Sequence, residues 1–189
     1  MRQLATMGDL ERLAGSAAAQ HERAESCLDA ASAVIRGYCG WPISRVEGLT
    51  VQLDPAGERR LALPCAWLTD VHTVSVNGNP ETGFRWSRSG LIERSGGRWP
   101  AGLGSVEITF SGGFDPVPPE VIAAAVSYAV KGLSTPDLSG PRVTQETVGP
   151  VSWTYADPGS SAAELSSAER AALVPYRLLR PSLWAAVTS

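Results

Sequence analysis

The sequence predicts an α+β fold: a small helical bundle with an inserted antiparallel β subdomain and a second β-hairpin. Three observations predict it. Apolar residues recur at intervals of three and four before residue 44 and again after Pro118. Between Arg45 and Ser111 the period drops to two. Turn chemistry, above all Asn77-Gly78 and Gly149-Pro150, separates the short alternating runs.

The elements follow in order. Thr6 is placed to cap a short helix over Gly8–Ala14, with Asp9 and Glu11 at its positive end. Gly15 and Ser16 break it. From Ala17 to Tyr38 the residues Ala24, Cys27, Leu28, Ala31, Val34, Ile35 and Tyr38 form one stripe, and the spacing predicts a single helix ended by Gly37, Gly40 and Pro42. Six short strands are expected next: Leu49–Leu53, Arg60–Leu63, Val71–Val76, Phe84–Trp86, Leu91–Arg94 and Ser105–Phe110. Pro118 and Pro119 suit the start of a helix whose apolar face runs from Val121 to Leu133. Residues 143–155 alternate around Gly149-Pro150 as a second hairpin. Asp157–Ala163 has linker composition. Ser166 and Glu169 form a capping box for a short helix that Pro175 ends or kinks. The segmentation expected is therefore 1–44 (N-terminal bundle helices), 45–114 (inserted β subdomain), 115–175 (bundle helices with the hairpin 143–155) and 176–189 (a C-terminal arm).

Composition bounds the function. With 189 residues, 43% hydrophobic and 19% charged, the chain can bury a core and does not read as disordered. A net charge of -3 argues against a dedicated nucleic-acid binder. No apolar run approaches the ~18 residues of a membrane span, and the first residues lack the pattern of a signal peptide. Cys27, Cys39 and Cys65 are an odd number without metal spacing, so free thiols are expected. His21 and His72 alone cannot build a histidine metal cluster. No Gly-x-Ser-x-Gly elbow and no phosphate loop occurs. Asp70 and His72 share a strand face, but no nucleophile neighbours them in sequence; they read as surface polar residues. Catalytic residues, metal and cofactor are all expected to be none.

Several words in fixed order carry a resemblance: Ile35-Arg-Gly-Tyr38, Leu63-Pro64, Val71-His-Thr-Val-Ser-Val-Asn-Gly78, Gly90-Leu-Ile-Glu-Arg94, Arg98-Trp-Pro100 and Val106-Glu-Ile-Thr-Phe-Ser-Gly-Gly113. Val117-Pro-Pro-Glu-Val121, Gln145-Glu-Thr-Val-Gly-Pro-Val-Ser-Trp-Thr-Tyr155 and Leu173-Val-Pro-Tyr-Arg177 follow. In this order they resemble the head-to-tail adaptor (connector, or head-completion) proteins of tailed bacteriophages. Trp153 departs from that pattern, standing where an aliphatic residue is commoner. The resemblance implies a non-enzymatic virion neck protein, made in the host cytoplasm, that forms a homo-oligomeric ring of about twelve copies. Its implied partners are the portal protein and a tail-side neck (stopper) protein. Double-stranded DNA would pass through the channel without specific binding, and no membrane is involved. The alternatives are a neck stopper or tail-completion protein, or a small soluble hydrolase-like enzyme.

Two sets of residues are the candidate sites. Arg177, Leu178, Leu179, Arg180, Leu183, Trp184 and Val187 form an apolar tail with two guanidinium groups, expected to dock on the portal. Glu146, Thr147, Val148, Gly149, Pro150, Val151 and Trp153 form a nearly uncharged hairpin, expected at a ring contact or the channel wall. The basic stretch Arg85, Arg88, Arg94 and Arg98 is expected to be scattered over a solvated sheet face, with phosphate contact as the lesser reading.

Overall fold

The computed structural model describes residues 2–134, 145–148, 151–154 and 164–178. Five α-helices lie in these ranges: α1 (Met7–Ala14), α2 (Ser16–Ala19), α3 (Ala24–Cys39), α4 (Pro119–Ser134) and α5 (Ser167–Leu173). A 3-10 turn at Val174–Tyr176 continues α5. Nine strands complete the set: β1 (Val46–Leu53), β2 (Arg60–Ala62), β3 (Leu68–Val76), β4 (Asn79–Pro80), β5 (Phe84–Trp86), β6 (Leu91–Arg94), β7 (Val106–Gly112), β8 (Gln145–Val148) and β9 (Val151–Thr154).

Local chemistry fixes the helix starts. Thr6 and Asp9 make a reciprocal capping box at α1, and Ser166 with Glu169 makes another at α5. The single helix expected from Ala17 to Tyr38 is instead two. Gln20 ends α2, the Arg23 N–H donates to His21 Nδ1 at 3.1 Å, and the Ala24 N–H donates to the His21 carbonyl at 2.9 Å. The His21 ring takes a backbone donor and turns the chain, so α3 starts only at Ala24. Gly40, in the left-handed region at φ 80°, ends α3.

Helix α4 packs against α3, α1 and α5. Leu28, Ala31 and Ile35 of α3 and Val121, Ala125 and Ala129 of α4 are all fully buried. Gly132 allows close approach: a Cβ there would stand 3.1 Å from Cys27 Sγ. Lys131 of α4 reaches Glu169 of α5 at 2.6 Å, with the carboxylate almost wholly buried. Burial acts to raise the Glu169 pKa. The Lys131 ammonium, the Ser127 hydroxyl and the Ser166 N–H together outweigh it and hold the carboxyl below its usual range. A lowered folded-state pKa contributes stability that is present above the unfolded value and lost as pH falls through the folded one. Stability should therefore decline from about pH 5 downward. Glu169→Gln should flatten that decline while costing about 1–3 kcal/mol at pH 7, as urea melts across pH 3–7 would show.

The strands between α3 and α4 form two antiparallel sheets, ordered β1-β7-β3-β4 and β2-β6-β5. Seven strands stand here where six are expected from the sequence. The seventh is the two-residue return β4 after the Asn77-Gly78 turn, both of whose residues have positive φ (51° and 78°). Pro80 sits in it on the sheet edge, where its missing N–H is harmless. In the larger sheet Val51, Ile108 and Val74 are cross-strand partners and all buried. In the smaller sheet Leu61 and Ile92 pair and are buried. All five belong to one hydrophobic core shared with the helices. The alternate residues, Thr50, Thr109 and Thr73 on one sheet and Arg60, Glu93 and Arg85 on the other, form polar rows on the faces turned away from it. The hairpin β8–β9 has Glu146 opposite Trp153 and Val148 opposite Val151.

Candidate functional site

The chain enters and leaves the strand region at one seam. The Arg45 N–H donates to the Phe114 carbonyl at 3.0 Å, the Phe114 N–H to Ile43 at 2.7 Å, and the Gly113 N–H to Trp67 at 2.8 Å. Aromatic rings close over the seam. Phe114 stacks on Trp67 (5.1 Å between centroids), tilts against Trp41 and meets Tyr176 edge-on. Arg88 lies over the Trp67 ring, 5.1 Å from its centre.

The C-terminal segment is clamped onto this seam. Trp41 Nε1–H donates to the Tyr176 carbonyl at 2.6 Å, Tyr176 O–H donates to Glu120 at 3.1 Å, and the Leu178 N–H donates to the Cys39 carbonyl at 2.9 Å. Leu178 packs beside Gly40, and Arg177 lies 4.7 Å over the Tyr38 ring. Two of the seven residues assigned to the docking arm, Arg177 and Leu178, thus rest on the chain's own α3. Leu179, Arg180, Leu183, Trp184 and Val187 lie outside the described residues, as do Gly149 and Pro150 of the hairpin. Glu146, Thr147 and Val148 fall on β8, and Val151 and Trp153 on β9. Burial pushes the Cys39 thiol at the clamp up to about 11, which leaves it unreactive at neutral pH.

The pairing of β3 with β7 brings a third partner to Asp70 and His72. His72 Nδ1 is 3.5 Å from Asp70 Oδ2, and His72 Nε2 is 2.7 Å from Ser111 Oγ. Sequence reasoning missed Ser111 because it lies 39 residues away. The order Asp-His-Ser invites comparison with a hydrolytic triad. However, the nearby Gly48 N–H donates to Ser111 Oγ itself, at 3.2 Å, rather than to a position beside it where an oxyanion would form. One hydroxyl thereby ties β1, β7 and β3 together, which fixes the register beside two irregularities in the β3 ladder. We read the row as a stitch across the sheet.

The basic stretch is scattered as expected, with one addition. Arg94 bonds Glu81 at 2.7 Å, Arg98 donates to the Gly57 carbonyl, and Arg88 covers Trp67. Arg85 instead joins Arg59 and Arg60 around a single carboxylate, Glu93, at 3.3, 3.0 and 2.8 Å. The Arg60 hydrogen bond leads in holding the Glu93 carboxyl below its usual range. Arg59 and Arg60 escaped sequence reasoning because β2 pairs with a strand some thirty residues on. Beside this cluster lies a concavity of about 310 Å³ lined by Arg60, Arg85, Trp86, Ser87, Leu91 and Glu93. Among the described residues no three metal-binding side chains come together, and no helix is long and apolar enough to cross a membrane.

This architecture has counterparts among solved structures. A chain in the neck of a native gene transfer agent particle, computed with C12 symmetry, aligns with 92% of this chain and 88% of its own length, at 20% identity and a TM-score of 0.57. A chain in the neck of the empty particle, computed with C6 symmetry, aligns over 92% and 89% at 21% identity and a TM-score of 0.53. A chain of the native gene transfer agent virion aligns over 72% and 80% at 21% identity and a TM-score of 0.51. At these identities the likeness is one of fold. No protein-family model and no curated protein matches the chain.

Proposed function

We propose that the chain is a structural subunit of the neck of a tailed, phage-like particle. In this reading it is an adaptor: a closed ring of copies seated on the capsid portal that extends the DNA channel toward the tail-side neck proteins. The observation that carries the proposal is the extent of the fold likeness, 92% of the chain against a chain in a particle neck computed with C12 symmetry. The order of sequence words that resembles the adaptor family supports the same reading independently. Twelve copies is the number favoured by that symmetry and by the resemblance. A net charge of -3 suits a channel that lets DNA slide. A neck stopper or tail-completion protein would share the ring but bind a different partner.

The arm is the proposed portal contact. The Tyr176–Leu178 clamp gives it a fixed point of departure at the end of α3. Beyond it the sequence offers Leu179, Leu183, Trp184 and Val187 as apolar anchors, with Arg180 to bond carboxylates. Deletion from Leu179 onward, which spares the clamp, should leave the thermal midpoint unchanged and abolish co-sedimentation with portal-bearing heads. Trp184→Ala alone should weaken that attachment by about 2 kcal/mol. Full attachment by the deletion variant would remove the arm from the portal interface.

A further inference from the structure

The strand region carries a protruding feature and a recessed one of opposite charge. The protrusion is Leu103, 91% exposed between Gly102 and Gly104. Its loop is braced: the Gly104 N–H donates to Asp54 Oδ1 at 2.5 Å, the Gly102 N–H to the Pro55 carbonyl at 3.1 Å, and Ser105 Oγ to the Pro100 carbonyl at 3.0 Å. An apolar side chain is thus held out in water by a fixed turn. The carboxylates of Asp54 and Glu107 belong to the same end of the β1–β7 ladder, and both residues are exposed. Neither is ion-paired among the described residues.

The recess is the 310 Å³ concavity beside the smaller sheet, lined from β2, β6 and the edge strand β5. Leu91 and Trp86, 42% and 39% exposed, supply its apolar surface. Around it Arg59, Arg60 and Arg85 share one carboxylate, Glu93. Three guanidinium groups on one carboxylate leave two positive charges in excess.

We propose that these two features are the halves of one interface between copies of this chain: Leu103 of one copy seats against Leu91 and Trp86 of the next, with Asp54 and Glu107 meeting Arg60 and Arg85. Protrusion and recess are built from different elements, so the contact is heterologous: each copy uses one half on each side, and repetition makes a ring where the rotation between copies closes. The inference rests on the ring reading above and names the surfaces that would make it. A second copy fits the recess better than a nucleic-acid backbone does. The arginines converge on a carboxylate beside apolar side chains, whereas a phosphate-binding surface presents cations without a central anion. Exposed Leu103 also has no role in the chain's own core.

The test uses three full-length proteins: the wild type, Leu103→Asp, and Arg60→Gln/Arg85→Gln. Sedimentation is followed up to millimolar concentration at 150 mM salt, with circular dichroism melts to establish folding. Leu103→Asp changes an almost fully exposed side chain, so its fold is safe even if the double variant is perturbed. The wild type should associate beyond the dimer. Each variant should lose association roughly tenfold or more. Their equimolar mixture should recover a species that stops at the dimer, because only one intact pairing remains. Variants that associate like a self-associating wild type overturn the surface assignment and leave the ring reading standing. A wild type monomeric throughout overturns self-association through these surfaces and leaves the portal-seated ring to the portal-binding test. Duplex DNA binding that the Arg60→Gln/Arg85→Gln protein loses while its association is unchanged reassigns the recess to phosphates.

Discussion

Gly113→Val should leave the chain unable to fold at 37 °C. Gly113 sits at φ 96°, in the left-handed region that a β-branched residue does not adopt. A Cβ there would stand 2.6 Å from the Ser44 carbonyl carbon and 2.8 Å from the Arg45 nitrogen, and nearer still to the Ser44 oxygen. These are backbone atoms, so no side chain can swing aside. They also belong to the seam: the Arg45 N–H donates to the Phe114 carbonyl, and the Phe114 N–H donates to the Ile43 carbonyl, on either side of this position. Relief of the clash would break that pairing and separate the strands from the helices at both crossings. We expect a loss of more than about 4 kcal/mol, which places the variant among the exceptional single-site cases. Recovery of soluble protein and a urea melt measure it directly. Gly113→Ala should fall short of this but still exceed about 2 kcal/mol.

Trp41→Ala should be nearly as severe and should act in a different place. Trp41 is 1% exposed and touches Phe114 on one side of the seam. Its indole N–H holds the Tyr176 carbonyl at 2.6 Å. Removal of the ring leaves a cavity and an unpaired carbonyl together, for about 3–5 kcal/mol. The loss should be uneven. Segment 164–178 should open first, seen as early proteolysis C-terminal to α4, because Trp41 holds it through the Tyr176 carbonyl just beyond the end of α3. Trp41→Phe keeps most of the packing and removes only the N–H, so it should cost about 1–2 kcal/mol.

What could be read from the sequence divides along the distance between partners. Both capping boxes, the Asn77-Gly78 turn and the apolar face of α4 depend on residues within one or two turns of each other, and all are present. The break between α2 and α3 was hidden because it depends on a His21 ring nitrogen taking a backbone donor, which the apolar spacing does not register. Sheet order was hidden for another reason. The pairings of β7 with β1 and β3, and of β6 with β2, join segments far apart in sequence, and alternation says which face is apolar but not which strand is adjacent. The polar clusters that sequence reasoning missed follow from those pairings. Ser111 comes beside His72 through β3–β7, and Arg60 comes beside Glu93 through β2–β6. Leu103 had a visible signal, a lone apolar residue between two glycines in a turn. The anchoring of Arg177 and Leu178 had none, since the tail shows no period and its contacts are to the far end of α3.

The proposed neck role is tested most directly by cryo-electron microscopy of portal-bearing heads incubated with the full-length chain, reconstructed without imposed symmetry. The account predicts a closed ring of copies coaxial with the portal around an open channel, with Tyr176–Leu178 on the portal-proximal side and Leu103 of each copy against Leu91 of the next. A chain absent from the portal vertex, or bound there as isolated copies that enclose no channel, would contradict it.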